Sequence, residues 1–138
     1  MQDFVTLLKA KELKATPQRI SVLKELTKKK HPTMDDLYEA IKQENPTMSL
    51  ATVYKNIATL KDKGVVIEVN VSDGKMRYDI YSVPHIHIVC KNCQRIRDVA
   101  YNENLFEYQN TLEKSENIQI ERLDIIATTE RCEMCQEV

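Results

Sequence analysis

The sequence predicts an α+β chain in two parts. Residues 1–82 read as a winged-helix unit, and residues 83–138 as a small α/β unit with a three-stranded antiparallel sheet. Three observations predict this. Capped helical segments follow one another up to residue 63 and then give way to two β-rich runs. A break at Ser-Val-Pro, 82–84, precedes a β-branched run. Charge divides at the same place: residues 1–82 hold 14 Lys+Arg against 11 Asp+Glu, and residues 83–138 hold 6 against 10. A basic first part and an acidic second part suggest two modules, the first facing a polyanion.

Each element follows from local chemistry. Asp3 to about Lys11 forms a first helix. Thr16-Pro17 is an N-cap followed by proline at the first helical position, opening a helix to about Lys29. Thr33 with Asp36 three residues on resembles a capping box and opens a helix to about Glu44. Pro46 ends that segment. Ser49 caps a fourth helix, Leu50 to Lys63, and Gly64 supplies the left-handed residue that a helix end favours. Residues 65–71 and 75–81 read as a hairpin, with its turn at Val71-Ser72-Asp73-Gly74-Lys75. The second part reads as strand 85–90, strand 95–100, helix 103–114 and strand 117–127.

The chain has 138 residues and a net charge of −1, with 30% charged residues. No apolar stretch approaches the roughly 20 residues of a membrane span. The start, Met-Gln-Asp-Phe, lacks a basic region followed by an apolar one, so a cytoplasmic protein is expected.

On a helical wheel the fourth helix gathers Leu50, Val53, Ile57 and Leu60 on one stripe. The opposite side carries Ala51, Thr52, Lys55, Ala58 and Thr59, flanked by Tyr54 and Lys61. Small residues let a helix approach base edges. Ala and Thr methyls can meet thymine methyls, and Lys can reach guanine or phosphate. An ordinary solvated outer face is the alternative. The hairpin's Lys75 and Arg77, with Lys14 and Arg19 near the second helix, would grip flanking phosphates.

All four cysteines lie in two Cys-x-x-Cys pairs, Cys90/Cys93 and Cys132/Cys135. That spacing points to a structural Zn²⁺ held by four thiolates, a closed site with no catalytic position. Redox-active dithiols are the alternative, and they usually come singly. The metal would staple a module of some fifty residues that is marginal by itself.

The run His85-Ile86-His87-Ile88-Val89 reads as a strand. His85 and His87 then share one face, and Ile86, Ile88 and Cys90 the other, so imidazoles and thiols do not meet at one ion. Asp79, in the second hairpin strand, and Asp98, in the next strand, are the available carboxylates. Imidazoles with carboxylates favour Fe²⁺, Mn²⁺ or Zn²⁺. A pair of surface histidines is the alternative.

The segments "LKATPQR" (13–19), "HPTMDDLY" (31–38), "SLATVYKNIATLKDKGVV" (49–66), "RYDIY" (77–81), "HIHIVCKNC" (85–93) and "CEMC" (132–135) resemble the ferric uptake regulator (Fur) family of bacterial metal-dependent repressors. The resemblance implies a homodimer that binds a palindromic operator in double-stranded DNA. It implies an N-terminal winged helix and a C-terminal dimerisation domain. It implies structural zinc on the four cysteines and a regulatory Fe²⁺ or Mn²⁺ on His31, Asp79, His85, His87 and Asp98. The tyrosine of the family's "TVY" motif falls on Tyr54. Pro84 stands where relatives often carry a polar residue, but it removes no ligand.

Within the family the chain resembles the peroxide-sensing (PerR) subtype. It has Asp rather than Glu at 98, no histidine in the last strand, and all three histidines in the regulatory set. That likeness implies that iron and hydrogen peroxide together oxidise His31 or His85 and relieve repression, while the manganese form binds DNA and responds poorly. An iron-responsive repressor of uptake genes is the nearest alternative. A metal-dependent hydrolase would need an open coordination position and a substrate pocket. A zinc-stapled dimer module with no second metal would leave the histidines without a role.

Overall fold

The structure, a computed structural model, describes residues 3–28, 31–71, 74–81 and 83–135. The chain splits into two compact units, Met1–Ser82 and Val83–Val138.

The first unit holds four helices and a hairpin among its described residues. Helix α1 spans Phe4–Ala10, and Asp3 stands outside it as N-cap, accepting from the amides of Val5 and Thr6. Helix α2 spans Pro17–Lys28, with Thr16 Oγ1 accepting from Arg19 N at 3.2 Å. The expected end at Lys29 lies outside the described residues. Helix α3, Met34–Glu44, starts with a reciprocal capping box between Thr33 and Asp36. Helix α4, Leu50–Asp62, is capped by Ser49, whose Oγ accepts from Thr52 N at 3.1 Å. Gly64, at φ 75, closes its C-terminus, and Val65 N donates to Leu60 O.

Strands β1 (Val66–Asn70) and β2 (Met76–Ile80) pair antiparallel, with Glu68 opposite Tyr78 and Ile67 opposite Asp79. Gly74 sits at φ 78 beside their connection. Ser72 and Asp73 of the expected turn lie outside the described residues. Leu23, Leu37, Ile41, Val53 and Leu60 are completely removed from solvent. Each such side chain contributes roughly 1.5–3 kcal/mol of transfer free energy. Helices α2 to α4 followed by the hairpin form the winged-helix arrangement.

The second unit holds β3 (His85–Cys90), β4 (Ile96–Ala100), α5 (Glu103–Glu116) and β5 (Ile126–Thr129), in sheet order β4-β3-β5. Two expectations need correction. The sheet is not wholly antiparallel: β3 pairs antiparallel with β4 but parallel with β5. The short turn at 91–95 forces the first pairing. The chain then crosses through α5, which lets β5 return in the direction of β3. The strand expected over 117–127 is also mostly irregular, with β5 starting only at Ile126. Side chains take the backbone groups that a ladder would use. Tyr101 Oη donates to Leu123 O and accepts from Leu123 N, both at 2.8 Å. Gln109 Nε2 donates to Ile120 O, and Glu113 accepts from Ile120 N. Helix α5 ends at Asn117, in the left-handed conformation.

No helix among the described residues is long and apolar enough to cross a membrane.

Candidate metal centres and helix face

The four cysteines meet because of strand register. Cys90 ends β3, and Cys93 lies in the turn that follows. The parallel pairing sets Cys90 beside Thr129, with Lys91 N donating to Thr129 O at 2.9 Å. The turn after β5 then delivers Cys132 and Cys135 to the same end of the sheet. Sγ of Cys90 is 3.3 Å from that of Cys135, and Sγ of Cys93 is 3.5 Å from that of Cys132. These are separate thiols, since a disulfide bond is about 2.05 Å. Around a tetrahedral Zn²⁺, with Zn–S about 2.3 Å, sulfurs stand about 3.8 Å apart. The four Sγ atoms lie within 4.8 Å of one another, so the cluster fits that ion with a small expansion.

The thiols are electrically unequal. The Asn92 side chain, the Cys132 amide and the Cys90 thiol favour the Cys135 thiolate, lowering its pKa to about 6. The Cys93 amide lowers Cys90. At Cys93 the Arg95 amide also acts downward, but burial and the three neighbouring thiols override it and raise the group to about 11. One thiolate suppresses the next, so four together call for a cation.

The opposite face of β3 carries the imidazoles. His87 is buried, and its Nε2 lies 3.3 Å from Oδ1 of Asp98, its direct cross-strand partner. The His85 ring meets the His87 ring edge-on, 4.8 Å between centroids. His85 Nδ1 lies 2.8 Å from Val83 O. A carbonyl only accepts, so in this contact the proton sits on Nδ1.

The first unit holds its own imidazole–carboxylate pair. Tyr78 N donates to Pro32 O at 3.0 Å, tying β2 to the segment that carries His31. Asp79, on the face away from the buried Tyr78, lies with Oδ2 3.5 Å from His31 Nε2. His31 adopts φ 54, a left-handed conformation that costs a non-glycine residue about 1–2 kcal/mol. Buried donors on an unfavourable backbone, with a carboxylate beside them, are the make-up of a ligand set.

On α4, Val53, Ile57 and Leu60 are buried as expected, but Leu50 is 39% exposed. It occupies the first turn, where the stripe runs past the edge of the core. Asn56 is buried instead, satisfied by donating to Thr52 O at 2.9 Å. An i−4 back-bond of this kind explains a polar residue there, and no pattern of apolar spacing would find it. Ala51, Tyr54 and Lys55 are exposed, and Thr52 and Thr59 partly so. Lys61 is bound to Glu68 of β1 at 2.7 Å, a partner the sequence reading missed. Lys14 lies exposed in the turn before α2, and Arg19 Nη1 donates back to its carbonyl at 2.9 Å. Lys75 is exposed and Arg77 half-buried.

A winged-helix unit with one imidazole–carboxylate pair, joined to a thiol-stapled unit with another, defines a metal-binding regulator of two units. The Ferric uptake regulator family model matches residues 10–128. The peroxide-responsive repressor PerR of Staphylococcus saprophyticus is 36% identical over 102 residues, covering 73% of this chain and 69% of that protein. The peroxide operon regulator of Bacillus subtilis is also 36% identical, over 73% of this chain and 70% of its own length. The crystal structure of a Campylobacter jejuni peroxide stress regulator matches with TM-score 0.80 and 46% identity, covering 97% of this chain and all of the other. The chain belongs to the ferric uptake regulator family. Cys132 and Cys135 lie past residues 10–128 of the family match, so the second thiol pair is placed by this chain's own geometry rather than by that match.

Proposed function

We propose that the chain is a peroxide-responsive, metal-dependent transcriptional repressor, acting in the cytoplasm as a homodimer on a palindromic operator. The observation that carries this reading is the 46% identity, along nearly the whole chain, to a peroxide stress regulator. Asp98 beside His87 agrees with it, because aspartate there marks the peroxide-sensing branch. Members of the family are transcription factors rather than enzymes.

The roles divide by unit. Residues 1–82 bind DNA, with Ala51, Thr52, Tyr54, Lys55 and Thr59 of α4 reading the major groove. Lys14, Arg19, Lys75 and Arg77 hold flanking phosphates. Lys61 contributes least, because Glu68 already holds its ammonium. Residues 83–138 mediate dimerisation, stapled by zinc on Cys90, Cys93, Cys132 and Cys135.

One regulatory ion, Fe²⁺ or Mn²⁺, takes donors from both units: His31 and Asp79 from the first, His85, His87 and Asp98 from the second. The first unit supplies only two donors and the second three, and together they give the nitrogen–oxygen set that such ions prefer. Donors shared this way couple the two units, so the DNA-competent arrangement gains the difference in metal affinity between coupled and uncoupled states. In the dimer this sets the spacing of two reading helices against two half-sites. Iron held by these donors would supply the redox chemistry toward hydrogen peroxide. Overall, one peroxide oxygen would be inserted at a ring C–H of His31 or His85 and the other would leave as water. The two-electron oxidation of the ring matches the reduction of the peroxide, with no net change in the iron. The weakened ligand set would release the coupling.

The test is operator affinity for iron-loaded and manganese-loaded protein before and after peroxide, on a palindrome selected from random DNA by the manganese form. Both forms should bind at first. Only the iron form should lose affinity, with one added oxygen found on a His31 or His85 peptide. Oxygen confined to methionine or cysteine, with repression intact, would favour an iron-responsive repressor instead.

A further inference from the structure

We propose that the Cys90-bearing sheet face of the second unit binds a small organic oxyanion, a carboxylate or phosphate monoester with an apolar body. A cavity of about 460 Å³ opens there, within the roughly 300–1,000 Å³ of small-molecule sites. Strand alternation builds it. Register sets Arg97 opposite Ile88 and Thr129 beside Cys90, so three strands present side chains to one face. Arg95, Arg131 and Met134 complete the walls used here.

Charge is concentrated at this cavity. Residues 83–138 are acidic overall, with six Lys+Arg against ten Asp+Glu. Three of those six, Arg95, Arg97 and Arg131, line the cavity, against a single carboxylate, Glu133. Arg95 is fixed by donating from Nη1 to Met134 O at 2.6 Å. The side chains of Arg97 and Arg131 have no hydrogen-bond or ion-pair partner among the described residues. Guanidinium forks pair bidentately with carboxylate or phosphate, while Ile88 and Met134 offer apolar contact for the rest of a ligand. Cys90 and Cys132 also line the cavity, so its arginines lie close to zinc-bound thiolates. A role limited to balancing thiolate charge is the rival explanation, and it predicts no ligand.

The inference concerns the second unit alone and does not depend on the repressor reading. The test titrates zinc-loaded full-length protein, followed by amide NMR, with octanoate, phenyl phosphate and inorganic phosphate. At least one organic probe should give saturable shifts at Ile88, Arg97, Thr129 and Met134, and the better of the two assigns carboxylate or phosphate. Inorganic phosphate, lacking the apolar body, should bind about tenfold more weakly or less well still. The R97Q/R131Q double variant should keep its zinc and weaken binding about tenfold or more. No saturable shift from either organic probe, equal binding of inorganic phosphate, or undiminished binding by that variant would overturn the proposal. Should the double variant lose zinc, E133Q decides: tighter binding supports the site, and unchanged affinity overturns it.

Discussion

The first unit removes Leu23, Leu37, Ile41 and Leu60 completely from solvent, whereas the second buries only His87, Val89, Cys90 and Tyr101 among its described residues. Helix α5 has no buried residue at all, and Phe106 and Tyr108 on it are about half exposed. The two units therefore stand for different reasons. The first carries enough apolar burial to offset its chain entropy. The second must draw on a metal and on a partner.

The largest effect expected from this contrast is loss of the second unit's fold on zinc removal. Chelation, or Cys132→Ser, should abolish the dispersed NMR signals of residues 83–135 while those of the first unit persist. Acid should act the same way, since protons compete for the thiolates. Signals of the second unit surviving without zinc would break the comparison.

Next in size is Leu37→Ala in the first unit, which should cost about 2–5 kcal/mol in urea unfolding. Its effect should stay within that unit. Smaller again is Thr33→Ala, which removes one arm of the α3 capping box and should cost about 0.5–2 kcal/mol.

Legibility in the sequence follows the same division. Helices α2 to α4 were readable because each carries its own local signals: Thr16-Pro17, Thr33 with Asp36, Ser49, and Gly64. Strand β3 was readable to the residue because β-branched side chains alternate across it. The last strand was not. Ile118, Ile120, Leu123 and Ile125 look like strand residues, but Tyr101, Gln109 and Glu113 occupy the backbone there from far along the chain. The parallel sense of β5 depends on the crossover through α5, which no short pattern encodes. At the sites, Cys-x-x-Cys spacing located the thiol cluster, and strand alternation separated it from the imidazoles. The pairing of His31 with Asp79 was beyond spacing, since it needs the Tyr78–Pro32 hydrogen bond to bring the segments together. The arginine-lined cavity was equally hidden, because β4 and the segment after β5 contribute its charges separately.

The central claim is that a single regulatory ion draws donors from both units. Calorimetric titration of Mn²⁺ into zinc-loaded wild type, Asp79→Asn and Asp98→Asn tests it most directly. The expected result is a single regulatory Mn²⁺ per chain in the wild type, and an affinity loss of about tenfold or more in each variant. Two independent Mn²⁺ sites, or full-strength binding by either variant, would contradict it.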